Sequence, residues 1–354
     1  MKPTAIILTL GRLRTPFAKT AHGLIRGPSR YELVGVVDGP DSSGDAASAI
    51  GLPPRDLPLF ASVSACLATG RRPSHCVIGV ATPGGVLPPE MRAEIEAALA
   101  AGLHVVNGLH HLIGDDQELA ALASQHGATI HDIRRPRPFA SLHFWSGAID
   151  TVRAPRIAVL GTDCAIGKRT TCQALAEVCR AAGLRTEIIY TGQTGWLQGM
   201  THGFILDATP NDFVSGELEH AIVSCDRELR PDLILLEGQS ALRNPSGPCG
   251  AELLLSGGAR GVVLQHAPGR TYFEDLEHLQ RRIPSARDEI ELIARYGARV
   301  LAVCVNGSCD DGVDFQTALA DLRGSVDVPV LNPLGHELQQ IVPILREFVA
   351  QQQP

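Results

Sequence analysis

The segment RIAVLGTDCAIGKRTTCQALAEVCRAAG, residues 156–183, constrains this chain more than any other. An apolar run, a glycine-bounded turn and a helical pattern follow one another in the order of a phosphate-binding loop. Gly161 and Gly167 permit a tight backbone, and Lys168 offers a point charge to phosphate oxygens. Beyond the loop, Leu175, Val178, Cys179 and Ala182 recur at helical spacing and Gly183 ends the run, so the free amides and dipole of a helix start would attract an anion. The plainer reading is a strand-to-helix turn with a solvated lysine. Strand, loop, Gly-Lys and amphipathic helix together favour the phosphate site.

The loop departs from the standard motif at two points. Five residues separate Gly161 from Gly167 where four are usual, a length that resembles the GTD…GK loops of dethiobiotin-synthetase-like P-loop proteins. The position after Lys168, where a Ser or Thr normally coordinates magnesium, is Arg169, and the hydroxyls come later, at Thr170 and Thr171. A guanidinium carries no lone pair for a metal. Phosphoryl transfer relies on a metal bridging the terminal phosphates, so the change weakens a hydrolytic role more than phosphate binding. A held diphosphate suits the loop, as in a coenzyme A anchored by its adenosine diphosphate end. Under the alternative, an ATP-dependent ligase or kinase, Thr170 and Glu237 would hold Mg.

Short apolar runs alternate with helical patterns along the whole chain, which implies an α/β fold of parallel sheets covered on both faces. Strands are expected at Ile6–Leu10, Leu33–Val37, Cys76–Ala81 and His104–Asn107 in the first half. In the second half they are expected at Arg156–Leu160, Thr186–Tyr190, Leu233–Leu236, Gly261–Gln265, Val300–Val305 and Val328–Leu331. The stretch PPEMRAEIEAALAAG predicts a helix with Met91, Ile95 and Ala98 on its buried face. A proline- and arginine-rich connection over 134–155 breaks the alternation, so residues 1–140 are expected to form a Rossmann-like domain and 141–354 a P-loop NTPase-like domain.

A chain of 354 residues, 44% hydrophobic, with a net charge of −7, can bury two cores and lacks a polybasic footprint for nucleic acid or anionic lipid. A small-molecule partner is expected, with no nucleic acid and no membrane. The nine cysteines are scattered, with neither C-x-x-C nor metal-type spacing to histidine, which fits a reducing cytoplasm and gives no metal site. The opening MKPTAIILTL reads as a first strand, not a secretory signal. The oligomeric state is open, a homo-oligomer included.

KTAHGLIR (19–26) in the first half, with GTDCAIGKRTT, TGQTGW (191–196), DATPNDFVSGELE (207–219) and LLEGQ (235–239) in the second, resembles the DgcN-type D-glutamate N-acetyltransferase family over nearly the whole chain. The resemblance implies a Rossmann-like domain joined to a P-loop domain. It also implies transfer of acetyl from acetyl-CoA to the amine of D-glutamate or a related D-amino acid. The loop Gly161, Thr162, Asp163, Cys164, Ala165, Ile166, Gly167, Lys168, Arg169, Thr170 and Thr171 would then grip the phosphates of coenzyme A.

Other positions carry two readings each. Glu237 ends a central strand, where ligands of open sheets bind, and is equally open to a general base or a Walker-B-like structural carboxylate. Asp207 and Asp212 are acidic candidates for catalysis, with Asp212 as a helix cap the more conservative assignment. TGQTGWLQG reads as a loop near the P-loop mouth whose Gln193 and Thr194 could orient substrate, though turn chemistry explains its glycines. Arg270 suits a substrate carboxylate or a surface ion pair. No GxGxxG follows the first strand, so dinucleotide redox chemistry is poorly supported.

Overall fold

A computed structural model describes residues 2–352. The chain divides into two compact units. One comprises the chain up to Arg137 together with Gln193–Thr201, and the other comprises Pro138–Gly192 with the chain from His202 onward.

The first unit holds a six-stranded parallel sheet of β1 (Thr4–Leu8), β2 (Glu32–Val37), β3 (Leu59–Phe60), β4 (His75–Ile78), β5 (His104–Asn107) and β6 (Ile130–Asp132), in the order β3-β2-β1-β4-β5-β6. Ala5, Ile6, Ile7 and Leu8 are fully buried, as a strand covered on both faces requires. The Pro89–Ala100 helix buries Met91, Ile95 and Ala98 as their spacing predicts. The strand bounds shift where side chains leave the sheet. Leu10 lies in the following loop at φ 47°, not in β1, and β4 stops at Ile78. Sequence reading missed β3 and β6, the two edge strands, because two or three residues carry too little periodicity to register.

The second unit repeats the plan with β7 (Arg156–Gly161), β8 (Thr186–Ile189), β9 (Leu233–Glu237), β10 (Gly261–His266), β11 (Arg299–Val305) and β12 (Val330–Leu331), all parallel, in the order β12-β11-β10-β7-β9-β8. The loop-bearing strand β7 is central, with β9 on one side and β10 on the other, so its carboxyl end opens where the strand order reverses. The helix that follows, Lys168–Ala181, buries Thr171, Cys172, Leu175, Ala176 and Cys179. That stripe is rotated from the expected one, for Val178 and Ala182 are only partly buried. Among the described residues no helix is long and apolar enough to cross a membrane.

Candidate anion site at the P-loop

The loop between β7 and the Lys168–Ala181 helix is set by backbone demands that its sequence meets. Gly167 sits at φ 99° as the residue before the helix, a conformation that a side chain strains. A Cβ on Gly161 would lie 3.0 Å from Cδ of Lys168, so this glycine leaves room for the lysine stem to fold back over the loop. Thr162 N donates to the Gln265 carbonyl at 3.0 Å, and Asn306 Nδ2 donates to the Ile166 carbonyl at 3.0 Å. Thr171 Oγ1 donates to Gln265 Oε1 at 2.6 Å, which ties the first helical turn to β10. No side chain caps the helix, so its first amides remain available to an anion.

Asp163 organises the loop from inside. It is fully buried; its Oδ1 accepts from Cys164 N at 2.7 Å and Asn244 Nδ2 at 3.3 Å, and its Oδ2 accepts from Glu274 N at 2.9 Å. Arg270 Nη1 reaches the same Oδ2 and the Cys164 carbonyl, both at 3.3 Å, pairs with Glu274 at 2.5 Å, and Nε donates to Ser308 Oγ. The residue expected to receive a substrate carboxylate is therefore engaged in bracing the loop.

Lys168 and Arg169 carry the positive charge next to the loop, opposed by the carboxylates of Asp163 and Glu237. Lys168 is 7% exposed and donates from Nζ to the Asp163 carbonyl at 2.6 Å; burial lowers its pKa. A bound anion would restore charge compensation to this ammonium. Arg169, its pKa also lowered by burial, lies 3.7 Å from Glu237. Glu237, 2% exposed at the end of β9, has a pKa raised by burial against the opposing pull of Arg169. Thr191 N reaches Glu237 Oε2 at 3.3 Å, and Thr191 Oγ1 donates to the Glu237 carbonyl at 2.8 Å. Gly238 follows because a Cβ there would stand 2.3 Å from the Val159 carbonyl of β7.

This donor set fits a divalent ion poorly. Arg169 stands where the standard motif places its metal-binding hydroxyl, its guanidinium has no lone pair for a metal, and it lies 3.7 Å from the carboxylate of Glu237 that would share the ion with Thr170. The arrangement suits an anion held by amides, ammonium and guanidinium. On β10, His266 Nδ1 lies 2.8 Å from Thr162 Oγ1, and burial holds its pKa down at about 4, so it is neutral at physiological pH.

Asp207 belongs to a single turn of 3-10 helix, Leu206–Ala208, and Asp212 to the first turn of the Asn211–Leu229 helix; both are exposed. Asp212 is not the cap, because Pro210 occupies that position and no side chain caps the helix. The segment at Gln193 is a helix, Gln193–Leu197, not a loop, and it belongs to the first unit. There Gln193 Oε1 accepts from Arg134 at 2.8 Å, and Thr194 Oγ1 meets Thr20 Oγ1 at 3.2 Å. Asn244, Gln265, Glu274 and Asn306 were not singled out from sequence. They stand far from the loop in the chain and carry no motif.

The fold and the site define a two-domain P-loop protein with a Rossmann-like first unit. The chain belongs to the DUF1611 family, a domain family of unknown function: the model of its P-loop domain matches residues 143–342 and that of its Rossmann-like domain residues 40–136. A D-glutamate N-acetyltransferase from Tritonibacter scottomollicae is 29% identical over 276 residues, 76% of this chain and 80% of that protein. One from a Pseudoalteromonas species is 29% identical over 287 residues, covering 79% and 83% respectively. The crystal structure of a DUF1611 family protein from Anabaena variabilis superposes with a TM-score of 0.83 at 28% identity, spanning 98% of this chain and 99% of that one.

Proposed function

We propose that this protein is an N-acetyltransferase that moves an acetyl group from acetyl-CoA to the amine of a small D-amino acid, D-glutamate first among them. The observation that carries the reading is Arg169 beside Lys168, a guanidinium 3.7 Å from Glu237 at the position where a nucleotide hydrolase carries its metal-binding hydroxyl. The names of the two bacterial relatives support the acetyl transfer and its amino acid.

Lys168, Arg169 and the loop amides would hold the diphosphate of coenzyme A, binding it without splitting it. The neutral amine attacks the thioester carbonyl carbon; the C–N bond forms, the C–S bond breaks and coenzyme A leaves as its thiolate, which takes up a proton. The pantetheine arm separates thioester from diphosphate, so Glu237, packed beneath the loop, serves as a positioning residue for Arg169. Asp207 and Asp212 are the acidic side chains we assign as candidates to accept the ammonium proton.

Calorimetry with acetyl-CoA and with Mg-ATP, alongside thiol release in the presence of D- and L-glutamate, tests this. Acetyl-CoA binding with thiol release that requires D-glutamate supports the proposal. Magnesium-dependent ATP binding with no acetyl-CoA binding would favour a ligase or kinase. Ligand binding without turnover across a panel of amines would favour a nucleotide sensor.

A further inference from the structure

The second half of DATPNDFVSGELE, residues 215–219, lies in the Asn211–Leu229 helix and holds the segment 143–149 of the same unit against it. A Cβ on Gly216 would collide with the His143 carbonyl oxygen, so glycine is what lets the two backbones touch. Glu217 and Glu219 are both 3% exposed. Glu219 accepts from Ser146 N and Oγ at 2.7 Å and from Ile149 N at 3.1 Å, which seats the segment. Glu217 does something further: its Oε1 accepts from His143 N and lies 2.9 Å from Nδ1 of the same residue. A carboxylate only accepts, so the ring proton of neutral His143 sits on Nδ1 and the lone pair on Nε2. The His220 ring stacks on this imidazole at 3.8 Å, yet the His143 side chain stays 45% exposed.

A buried carboxylate behind a half-exposed imidazole orients the ring for proton transfer and stabilises its protonated form. Leu206 N donates to the Thr191 carbonyl, and Thr191 Oγ1 to the Glu237 carbonyl, so the turn bearing Asp207 starts at the sheet edge that also carries the P-loop. Asp212 lies one helical turn before Gly216, on the face that meets His143. The imidazole and a candidate acceptor of the ammonium proton thus share one helix face.

We propose that His143 is a catalytic residue of the acetyl transfer, a proton shuttle acting at Nε2; the inference rests on the acetyl-transfer reading. The ammonium gives its first proton to the carboxylate. When the amine nitrogen bonds to the thioester carbon it sheds a second, which Nε2 accepts. As the C–S bond breaks, the imidazolium returns that proton to the departing sulfur, so coenzyme A ends as the thiol and His143 is neutral again. Glu217 is a positioning residue whose charge favours the imidazolium. The titratable groups on the helix face beside His143 are Asp212, Glu217 and His220, while Glu219 is taken up by Ser146 and Ile149. The segment's other neighbour, Ser256, is uncharged and accepts from Trp145 Nε1 through its carbonyl.

The substitution His143→Asn tests it, because the asparagine amide keeps a donor for Glu217 and removes Nε2. Thiol release from acetyl-CoA with D-glutamate is followed from about pH 5 to about pH 9 in the native, His143→Asn and Glu217→Gln proteins, beside acetyl-CoA affinity by calorimetry and melting temperature. In His143→Asn, kcat should fall at least about 100-fold with acetyl-CoA affinity and melting temperature nearly unchanged, and the loss of rate that the native protein shows on acidification should disappear. Glu217→Gln should keep that acid limb and move it to lower pH, because the imidazolium loses its counter-charge; a purely structural glutamate would leave it in place. A kcat in His143→Asn within about threefold of native, or an unchanged acid limb, would overturn the role of His143 alone. Activity lost together with folding or acetyl-CoA binding in His143→Asn, with the acid limb unmoved in Glu217→Gln, would assign the residue to structure and overturn it as well. A native protein that releases no thiol with any amine would remove the acetyl-transfer reading and this proposal with it.

Discussion

The first strand of each unit runs into a loop that leads to a helix, at residues 9–18 after β1 and 162–167 after β7. Both loops emerge at the carboxyl edge of a six-stranded parallel sheet, and both are braced by a buried aspartate, Asp38 in one and Asp163 in the other. Asp163 accepts from Lys168 Nζ through its carbonyl and from Cys164 N through its side chain, whereas Asp38 takes the amides of Gly11 and Leu13 and the hydroxyl of Thr9. Topology fixes where a ligand sits, and a few side chains fix which sign of charge it must carry.

Acidification should separate the two edges most. His266 titrates near 4 in the folded unit and near 6.5 when unfolded, so the unfolded chain binds the extra proton between those values. Its contribution to stability is full above about pH 6.5 and is lost as pH falls through 4, roughly 3 kcal/mol at most. Denaturation followed from pH 7 to 4 should show a shallower loss in His266→Gln, and equal slopes would refute the assignment.

Lys168→Met removes the charge and keeps the stem. Acetyl-CoA affinity should drop by about 2–3 kcal/mol, the value of a charge-assisted hydrogen bond, with melting temperature nearly unchanged because a desolvated ammonium is lost as well. Unaltered affinity by calorimetry would take the loop out of the mechanism.

Asp132→Ala probes the first unit by contrast. This carboxylate accepts from Asn107 Nδ2, Ile113 N, Gly114 N and Arg135, so its loss should cost about 2 kcal/mol of stability and leave P-loop affinity intact. Chemical denaturation read beside acetyl-CoA binding checks both halves of that statement.

Arg169→Thr is the mildest change and the sharpest for the metal question. It restores a hydroxyl after the lysine and frees Glu237. Magnesium should then alter ligand affinity by up to about tenfold in the variant and not in the native chain. A native protein whose binding is abolished by EDTA would contradict the guanidinium's place as the built-in cation.

Much of the fold was legible because buried parallel strands are continuous apolar runs and helices repeat every three to four residues. The P-loop was legible because its glycines answer to backbone geometry within eleven residues, and Arg169 announced its departure by position alone. The helix Gln193–Leu197 was not, since three glycines in the nine residues after a strand read as a loop. What seats it in the first unit is non-local: the Arg30 guanidinium lies 4.2 Å from the Trp196 ring centre, and His131 stacks on the same indole with ring centres 4.8 Å apart.

By itself the sequence determined the two parallel sheets, the loop and its lysine, because apolar periodicity and glycine conformation are local properties of a chain. Only the tertiary structure decided that Arg169 meets Glu237, that Arg270 braces Asp163 and that Asp38 holds the loop after β1 through Gly11 and Leu13. Those contacts join residues dozens of positions apart, which no short stretch of sequence encodes.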